Sequence, residues 1–102
     1  MAKLFWVTFR IGDVGNYDAR YQRLNEALAS IADNSTWWVE STSFFLFQAD
    51  TNIDGVAEAI ACALDLDHDL ALVGMPEYKS ARAIGAIGDP DLYKLLPFAK
   101  KY

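Results

Sequence analysis

The apolar residues of this sequence recur with two different periods, and the order in which these periods alternate restricts the fold more than any other feature. Alternation with period two, as at Phe5, Val7 and Phe9, indicates a strand with one buried face. Apolar residues at intervals of three and four indicate an amphipathic helix. In chain order the sequence predicts a strand (residues 3–11), a helix (17–31), a hairpin (36–49), a second helix (53–64) and a last strand (70–75).

This order of strand, helix, strand, strand, helix, strand predicts an α+β fold. The split βαβ plan places two helices on one face of an antiparallel sheet, in a ferredoxin-like βαββαβ sandwich. A chain of 102 residues, 53% of them hydrophobic, is expected to form one domain with its own core. We expect this core to span residues 3–75. Residues 76–102 then form a C-terminal extension with an extended edge segment and a short helix that opens at Asp89 and Pro90.

The predicted sheet is apolar on both of its faces. In the first strand Leu4 and Trp6 point to one face of the sheet, and Phe5 and Val7 point to the other. The hairpin is apolar at consecutive positions, so it also places apolar side chains on both faces. Two helices cover one face only, so the other face would leave large aromatic side chains in water. We therefore expect a homodimer in which a second copy covers the open face, with a fold-back of the C-terminal tail as the alternative. The sequence does not decide whether Trp37 or Trp38 faces it, and the interface is predicted to comprise Leu4, Trp6, Trp38, Phe44 and Leu46.

Composition restricts the location and the partners of the protein. The net charge is −5, so nucleic acid would have to bind through a local basic patch. The single cysteine, Cys62, excludes a disulfide within the chain and favours a reducing compartment. The first residues enter a strand pattern without a secretory leader, and no apolar run is long enough to span a bilayer. We therefore expect a cytoplasmic protein that does not enter the membrane.

Three stretches of the sequence are similar to one known family. They are Val7-Thr8-Phe9 with the loop that leads to Asn16-Tyr17-Asp18, then Leu24-Asn25-Glu26-Ala27-Leu28, and finally Trp37-Trp38-Val39-Glu40-Ser41-Thr42. Over about residues 3–75 the chain resembles the SinR-like proteins, relatives of the small CRISPR-associated endoribonucleases and of the GhoS antitoxin ribonuclease. The resemblance implies a ferredoxin-like fold, a homodimer, and metal-assisted cleavage of RNA by an Asp at the end of the first strand.

The end of the first strand departs from that family, because Arg10 stands where the family has its Asp. The nearest carboxylate is Asp13, and an arginine cannot replace a carboxylate ligand of Mg²⁺. The sequence therefore favours a non-catalytic module that binds nucleic acid or protein. The alternative is a metal-dependent endoribonuclease of a toxin–antitoxin system, with Asp13 as its candidate catalytic residue and Mg²⁺ as its cofactor. Arg10 is also a candidate phosphate clamp, or an ion-pair partner of Glu40 in the dimer seam.

Other reactive side chains predict no metal site and no further cofactor. Asp65, Asp67, His68 and Asp69 are interpreted as a solvated helix end, because neither a calcium-loop pattern nor a second histidine accompanies them. Cys62 has no base near it in the sequence and is interpreted as an unreactive thiol off the buried stripe of its helix. The segment from Gly85 to Gly88 is interpreted as a turn. A third functional class, the small-molecule-binding ferredoxin-like dimers, needs a His or Asn in an apolar pocket, and His68 is badly placed for that.

Overall fold

Nine helices and strands follow one another in a computed structural model, which describes residues 2–102 apart from the side chains of residues 34–36. They are β1 (Lys3–Arg10), α1 (Tyr17–Ile31), β2 (Ala32–Trp38), β3 (Phe44–Ala49), α2 (Ile53–Ala63), β4 (Leu70–Gly74), β5 (Ala81–Gly85), α3 (Asp91–Leu95) and β6 (Ala99–Lys101). In these residues no helix is both long and apolar enough to cross a membrane.

The strands form one six-stranded sheet in the order β2-β3-β1-β4-β5-β6. β1 is antiparallel to both of its neighbours, and Val7 lies opposite Phe45 on β3 and Val73 on β4. The β4–β5 pair is antiparallel as well, whereas β5 and β6 are parallel. The first six elements thus have the predicted βαββαβ order and the ferredoxin-like arrangement of strands, and the C-terminal extension widens the sheet.

The core lies between the sheet and the two long helices. Phe5, Val7 and Phe9 are buried on the side of β1 that faces α1 and α2. The helices contribute Leu24 and Leu28 from α1, while Val56, Ile60 and their buried neighbours come from α2. Since each such side chain stabilises the fold by roughly 1.5–3 kcal/mol when buried, this layer is the main source of stability.

Two predicted details of the first helix and the hairpin are wrong. The helical spacing of Tyr17, Tyr21, Leu24 and Leu28 predicts one buried stripe on α1. In the structure Tyr17 and Tyr21 are exposed, and Arg20 is buried in line with the two leucines. The sequence ends the helix at residues 33–35 and begins the hairpin at residue 36, whereas β2 begins at Ala32, directly after the last helical residue. Ala32 itself adopts an extended conformation, so the chain passes from helix to strand without a loop.

The short helix α3 of the C-terminal extension lies on the opposite face of the sheet from α1 and α2. β1 and β5 run in the same direction, because both are antiparallel to β4. The connection from β1 through α1 leads toward the β2 edge, and the connection from β5 through α3 leads toward the β6 edge. Both crossovers between parallel strands are right-handed only if α1 and α3 lie on opposite faces. A cavity lined by side chains of both α3 and β4, described below, agrees with this placement.

Candidate interaction surface on the open sheet face

The sheet face turned away from α1 and α2, called the open face below, carries a continuous set of apolar side chains. Leu4, Trp6 and Thr8 of β1 lie on it, because the alternate residues of this strand are buried in the core. Their cross-strand partners on β3 are Gln48, Leu46 and Phe44 in the same order. The apolar members of this set are only partly buried, so water reaches them in the single chain.

Trp6 lies flat across the neighbouring strand near the middle of the sheet. Gly74 of β4 is its cross-strand partner, and a Cβ atom at Gly74 would collide with the indole ring. Glycine at this position therefore allows the ring to cover the backbone of β4. The indole of Trp6 thus occupies the centre of the open face, at the boundary between β1 and β4.

The two tryptophans of β2 point to opposite faces of the sheet. Trp38 is 43% exposed, lies opposite Leu46, and meets Phe44 edge-on with 6.1 Å between ring centroids. Its indole Nε1 donates a hydrogen bond of 2.9 Å to Oε1 of Glu40. Trp37 instead stacks on Phe45 with 5.9 Å between centroids, on the side of the long helices. Of the two tryptophans, Trp38 therefore lies on the open face, and it is the one included in the predicted interface.

The C-terminal extension covers one half of the open face. A groove of about 300 Å³ lies between Thr8 and two leucines of β4 on one side and the C-terminal extension on the other. The two leucines are Leu70 and Leu72, and the extension contributes Ile87, Leu92 and Leu95 to the apolar lining. We call residues 91–95 the α3 ridge, since Leu95 at its end is 79% exposed. The fold-back considered as an alternative cover for the open face is thus present, but it covers only the half that belongs to β4, β5 and β6.

The other half of the open face, formed by β1, β3 and β2, has no cover in the chain described here. A second groove of about 340 Å³ lies on it, lined by Leu4, Trp38, Leu46 and Gln48 of this face and also by Trp37 and Phe47, their neighbours on β2 and β3. We call this the bare groove. All five residues of the predicted interface lie on the open face, in or beside the bare groove.

Arg10 and Asp13, the candidates from the strand end, are both exposed to solvent. Arg10 is the last residue of β1, lies opposite Leu70, and shares its face with Thr8. Among the side chains that the structure describes, its guanidinium forms no hydrogen bond or ion pair, and the carboxylate of Glu40 accepts a hydrogen bond from the indole of Trp38. Asp13 lies in the loop between β1 and α1. The predicted pair of Arg10 with Glu40 is therefore not made within a single chain.

The acidic segment before β4 was interpreted as a solvated helix end, and for Asp69 this prediction is wrong. Asp69 is fully buried, and its carboxylate binds the guanidinium Nη1 of Arg20, itself only 3% exposed. The same carboxylate accepts backbone N–H groups from Gly12 and Asp65, each at 2.8 Å. Burial by itself would raise the pKa of Asp69, but Arg20 and these two N–H groups outweigh it and hold the pKa below its ordinary value.

Arg20 completes this network by holding the loop between β1 and α1. Its Nη2 donates to the carbonyl oxygens of Gly12, Val14 and Gly15 at 3.0–3.1 Å. The loop after β1 and the loop before β4 are thereby fixed to each other at one end of the sheet. Sequence reasoning missed this pair, although Arg20 stands four residues before Leu24 and so falls on the buried stripe of α1.

Of the other members of the acidic segment, Asp67 and His68 are exposed, as predicted, and Asp65 is partly exposed. Nδ1 of His68 lies 2.8 Å from Oδ2 of Asp65, and the backbone N–H of Asp67 donates to Oδ1 of Asp65 at 3.1 Å. The contact with His68 and the N–H of Asp67 lower the pKa of Asp65. No group of three or more His, Cys, Asp or Glu side chains that could hold a metal ion occurs in the described part of the chain.

Cys62 lies off the buried stripe of α2 and Gly85 begins a turn, as the sequence indicated. Cys62 is exposed, as its place off the buried stripe predicted, and it borders a shallow groove between α1 and α2 beside Arg23. Gly85 ends β5 with a φ of 82°, and its carbonyl accepts the N–H of Ile87 in a tight turn. A side chain at Gly85 would collide with the carbonyl oxygen of Asp69, so this glycine allows the turn to pack on the buried ion pair.

Comparisons of this chain with protein-family models, with curated proteins and with solved structures find no match to any of them.

Proposed function

We propose that this protein is a homodimeric, non-catalytic binding module that self-associates through the open face and binds a further protein partner. The observation that carries the proposal is the uncovered half of the open face, where Trp38, Leu46 and Leu4 border the bare groove. Tryptophan and phenylalanine are enriched at protein interfaces and carry much of their binding energy. A second copy of the same surface is the simplest cover for such a patch.

The size of the open face supports self-association. The molecule measures 37 × 31 × 22 Å, and six strands lie side by side in its sheet. A stable interface buries about 800 Å² on each partner, an area that a face of this size accommodates. Trp6 stands near the middle of the open face, where buried anchor residues of interfaces are usually found.

The charge distribution supports a protein rather than a nucleic acid as the further partner. The chain carries a net charge of −5, and Arg10 is an exposed cation at the rim of the open face without a partner inside the described chain. Binding of nucleic acid depends on neutralising several phosphates, which one arginine per copy does not supply. A carboxylate of a partner protein satisfies this guanidinium with a bidentate contact.

The non-catalytic character is inferred from Arg10 at the end of β1. Metal-assisted cleavage needs carboxylate oxygens around Mg²⁺, and the positive charge of Arg10 opposes a cation at the end of β1. A place among degenerate relatives of the SinR-like proteins is part of this proposal and rests on the three sequence stretches. A cytoplasmic location is also part of it, since the exposed Cys62 has no partner for a disulfide.

Sedimentation equilibrium at micromolar concentration tests the proposal. We expect wild-type protein to be a dimer, and Trp6→Glu and Trp38→Glu to be monomers, because each variant would bury an unpaired charge in the interface. Tyr17→Glu is the matched control, since Tyr17 is equally aromatic and exposed but belongs to α1 on the opposite face. Circular dichroism verifies that each variant is folded. A wild type that stays monomeric at these concentrations would overturn the proposal.

A further inference from the structure

We infer that two copies of this chain pack with the α3 ridge of each copy seated in the bare groove of the other. This inference rests on the proposed self-association and specifies its geometry. It follows from the uneven shape of the open face, which has a ridge on one side and a groove of about 340 Å³ on the other.

The ridge and the groove lie on opposite sides of the centre of the sheet. In the strand order β2-β3-β1-β4-β5-β6, the centre falls between β1 and β4, where the indole of Trp6 crosses Gly74. The bare groove lies toward β2 and β3, and the α3 ridge belongs to the crossover between β5 and β6. A surface of this kind is complementary to itself if the two sides exchange places.

The direction of the twofold axis decides whether the ridge of one copy faces the groove of the other. Two sheets packed face to face are related by an axis that lies between them and parallel to both. An axis along the strands reverses the strand order of the second copy, so its β5–β6 side faces the β2–β3 side of the first. An axis across the strands sets ridge against ridge and leaves both grooves empty. Because uncovered voids forfeit packing energy, the axis along the strands is favoured.

The residues at the ridge and at the axis fit this arrangement. Leu95 is the most exposed large hydrophobic residue in the described chain, with 79% of its surface in water. Burying a leucine in an apolar site is favourable, whereas a leucine this exposed on a monomer contributes nothing. Trp6 lies near the axis, so the two copies of its indole meet at the centre of the interface. This position agrees with the usual location of tryptophan anchors.

Cross-linking between two different single-cysteine chains tests the inference. Both chains carry Cys62→Ser, so that each has a single introduced cysteine. Gln48→Cys labels the bare groove, because Gln48 is exposed and lines it, and Leu95→Cys labels the ridge, because Leu95 is exposed at its end. When the two chains are mixed under mild oxidation, we expect a disulfide-linked heterodimer. Leu66→Cys replaces Leu95→Cys in the matched control, because Leu66 is an exposed leucine in the loop between α2 and β4. This control is expected to give no cross-link with Gln48→Cys.

The outcomes separate this inference from the proposed dimer. We further expect Leu95→Asp to raise the dissociation constant at least tenfold while the monomer stays folded, since Leu95 makes little contact within one chain. A wild-type dimer in which Leu95→Cys links to itself, or in which Leu95→Asp leaves the dissociation constant unchanged, would overturn the ridge-in-groove packing and leave self-association standing. A monomeric wild type would overturn both.

Discussion

At the scale of single residues, the buried pair of Arg20 and Asp69 has the largest expected effect on stability. Both side chains are almost fully removed from water, and the contacts of the pair join α1 and the loop after β1 to the loop before β4. Removing one partner of such a pair leaves a buried charge without compensation. The pair fixes the loop that contains Asp13 and so keeps the end of β1 in one conformation.

We predict that Asp69→Asn lowers the free energy of unfolding by about 3–5 kcal/mol, the cost of leaving a buried guanidinium unpaired. Urea denaturation measures this loss, and Asp67→Asn is the control, because Asp67 is exposed two residues away.

The stability that the ionised Asp69 contributes depends on pH. The pKa of Asp69 is lowered from its ordinary 3.8, so its contribution is complete above about pH 3.8 and disappears as pH falls through the lower folded pKa. Equal losses for both variants would contradict a special role of the pair.

The chemistry at the end of β1 is also decided by single residues. We predict that the protein cleaves no RNA in the presence of Mg²⁺ or Mn²⁺, because Arg10 stands at the strand end where a metal-binding carboxylate is needed. A gel assay on unstructured RNA, with Asp13→Asn as the comparison, measures this. Metal-dependent cleavage by the wild type that is lost in Asp13→Asn would refute the non-catalytic proposal and make Asp13 the catalytic residue.

At the scale of helices and strands, the elements with a strong hydrophobic period are the ones that the sequence predicts well. β1, α2 and β4 lie where the period places them, since burial on one face selects which residues are apolar. The position of Arg20 was not predicted, because a buried charge interrupts the apolar pattern and depends on Asp69, which is 49 residues away in the chain. Only the tertiary structure brings such partners together.

The C-terminal elements show the same limit. The sequence predicted a short helix with Asp89 at its cap and Pro90 as its first residue, and α3 begins one residue later, at Asp91, with Pro90 as its N-cap. Asp89 Oδ1 still accepts the backbone N–H of Asp91 at 2.9 Å. The three residues of β6 carry no periodic signal, so this strand was not predicted. The face on which α3 lies follows from the parallel pairing of β5 with β6, a long-range feature that local patterns do not contain. The open face was predictable as an apolar surface, but its division into ridge and groove was not.

At the scale of the whole molecule, self-association links stability to protein concentration. A dimer that exists only in the folded state is stabilised by mass action, by about 2.7 kcal/mol for a hundredfold rise in concentration above the dissociation constant. An unassociated domain has no such dependence. The thermal midpoint therefore reports association in a measurement that needs no label and no separation.

We predict that the thermal midpoint of the wild type rises by on the order of 5 °C or more for each hundredfold increase in protein concentration. Trp38→Glu is expected to lose this dependence, because the exposed indole that borders the bare groove is replaced by a charge. Tyr17→Glu, altered on the opposite side of the sheet, is expected to keep the full dependence of the wild type. Differential scanning calorimetry between about 1 and 100 μM measures all three proteins. A wild-type midpoint that does not move with concentration would show that the uncovered half of the open face does not bind a second copy, since only association makes the midpoint depend on concentration.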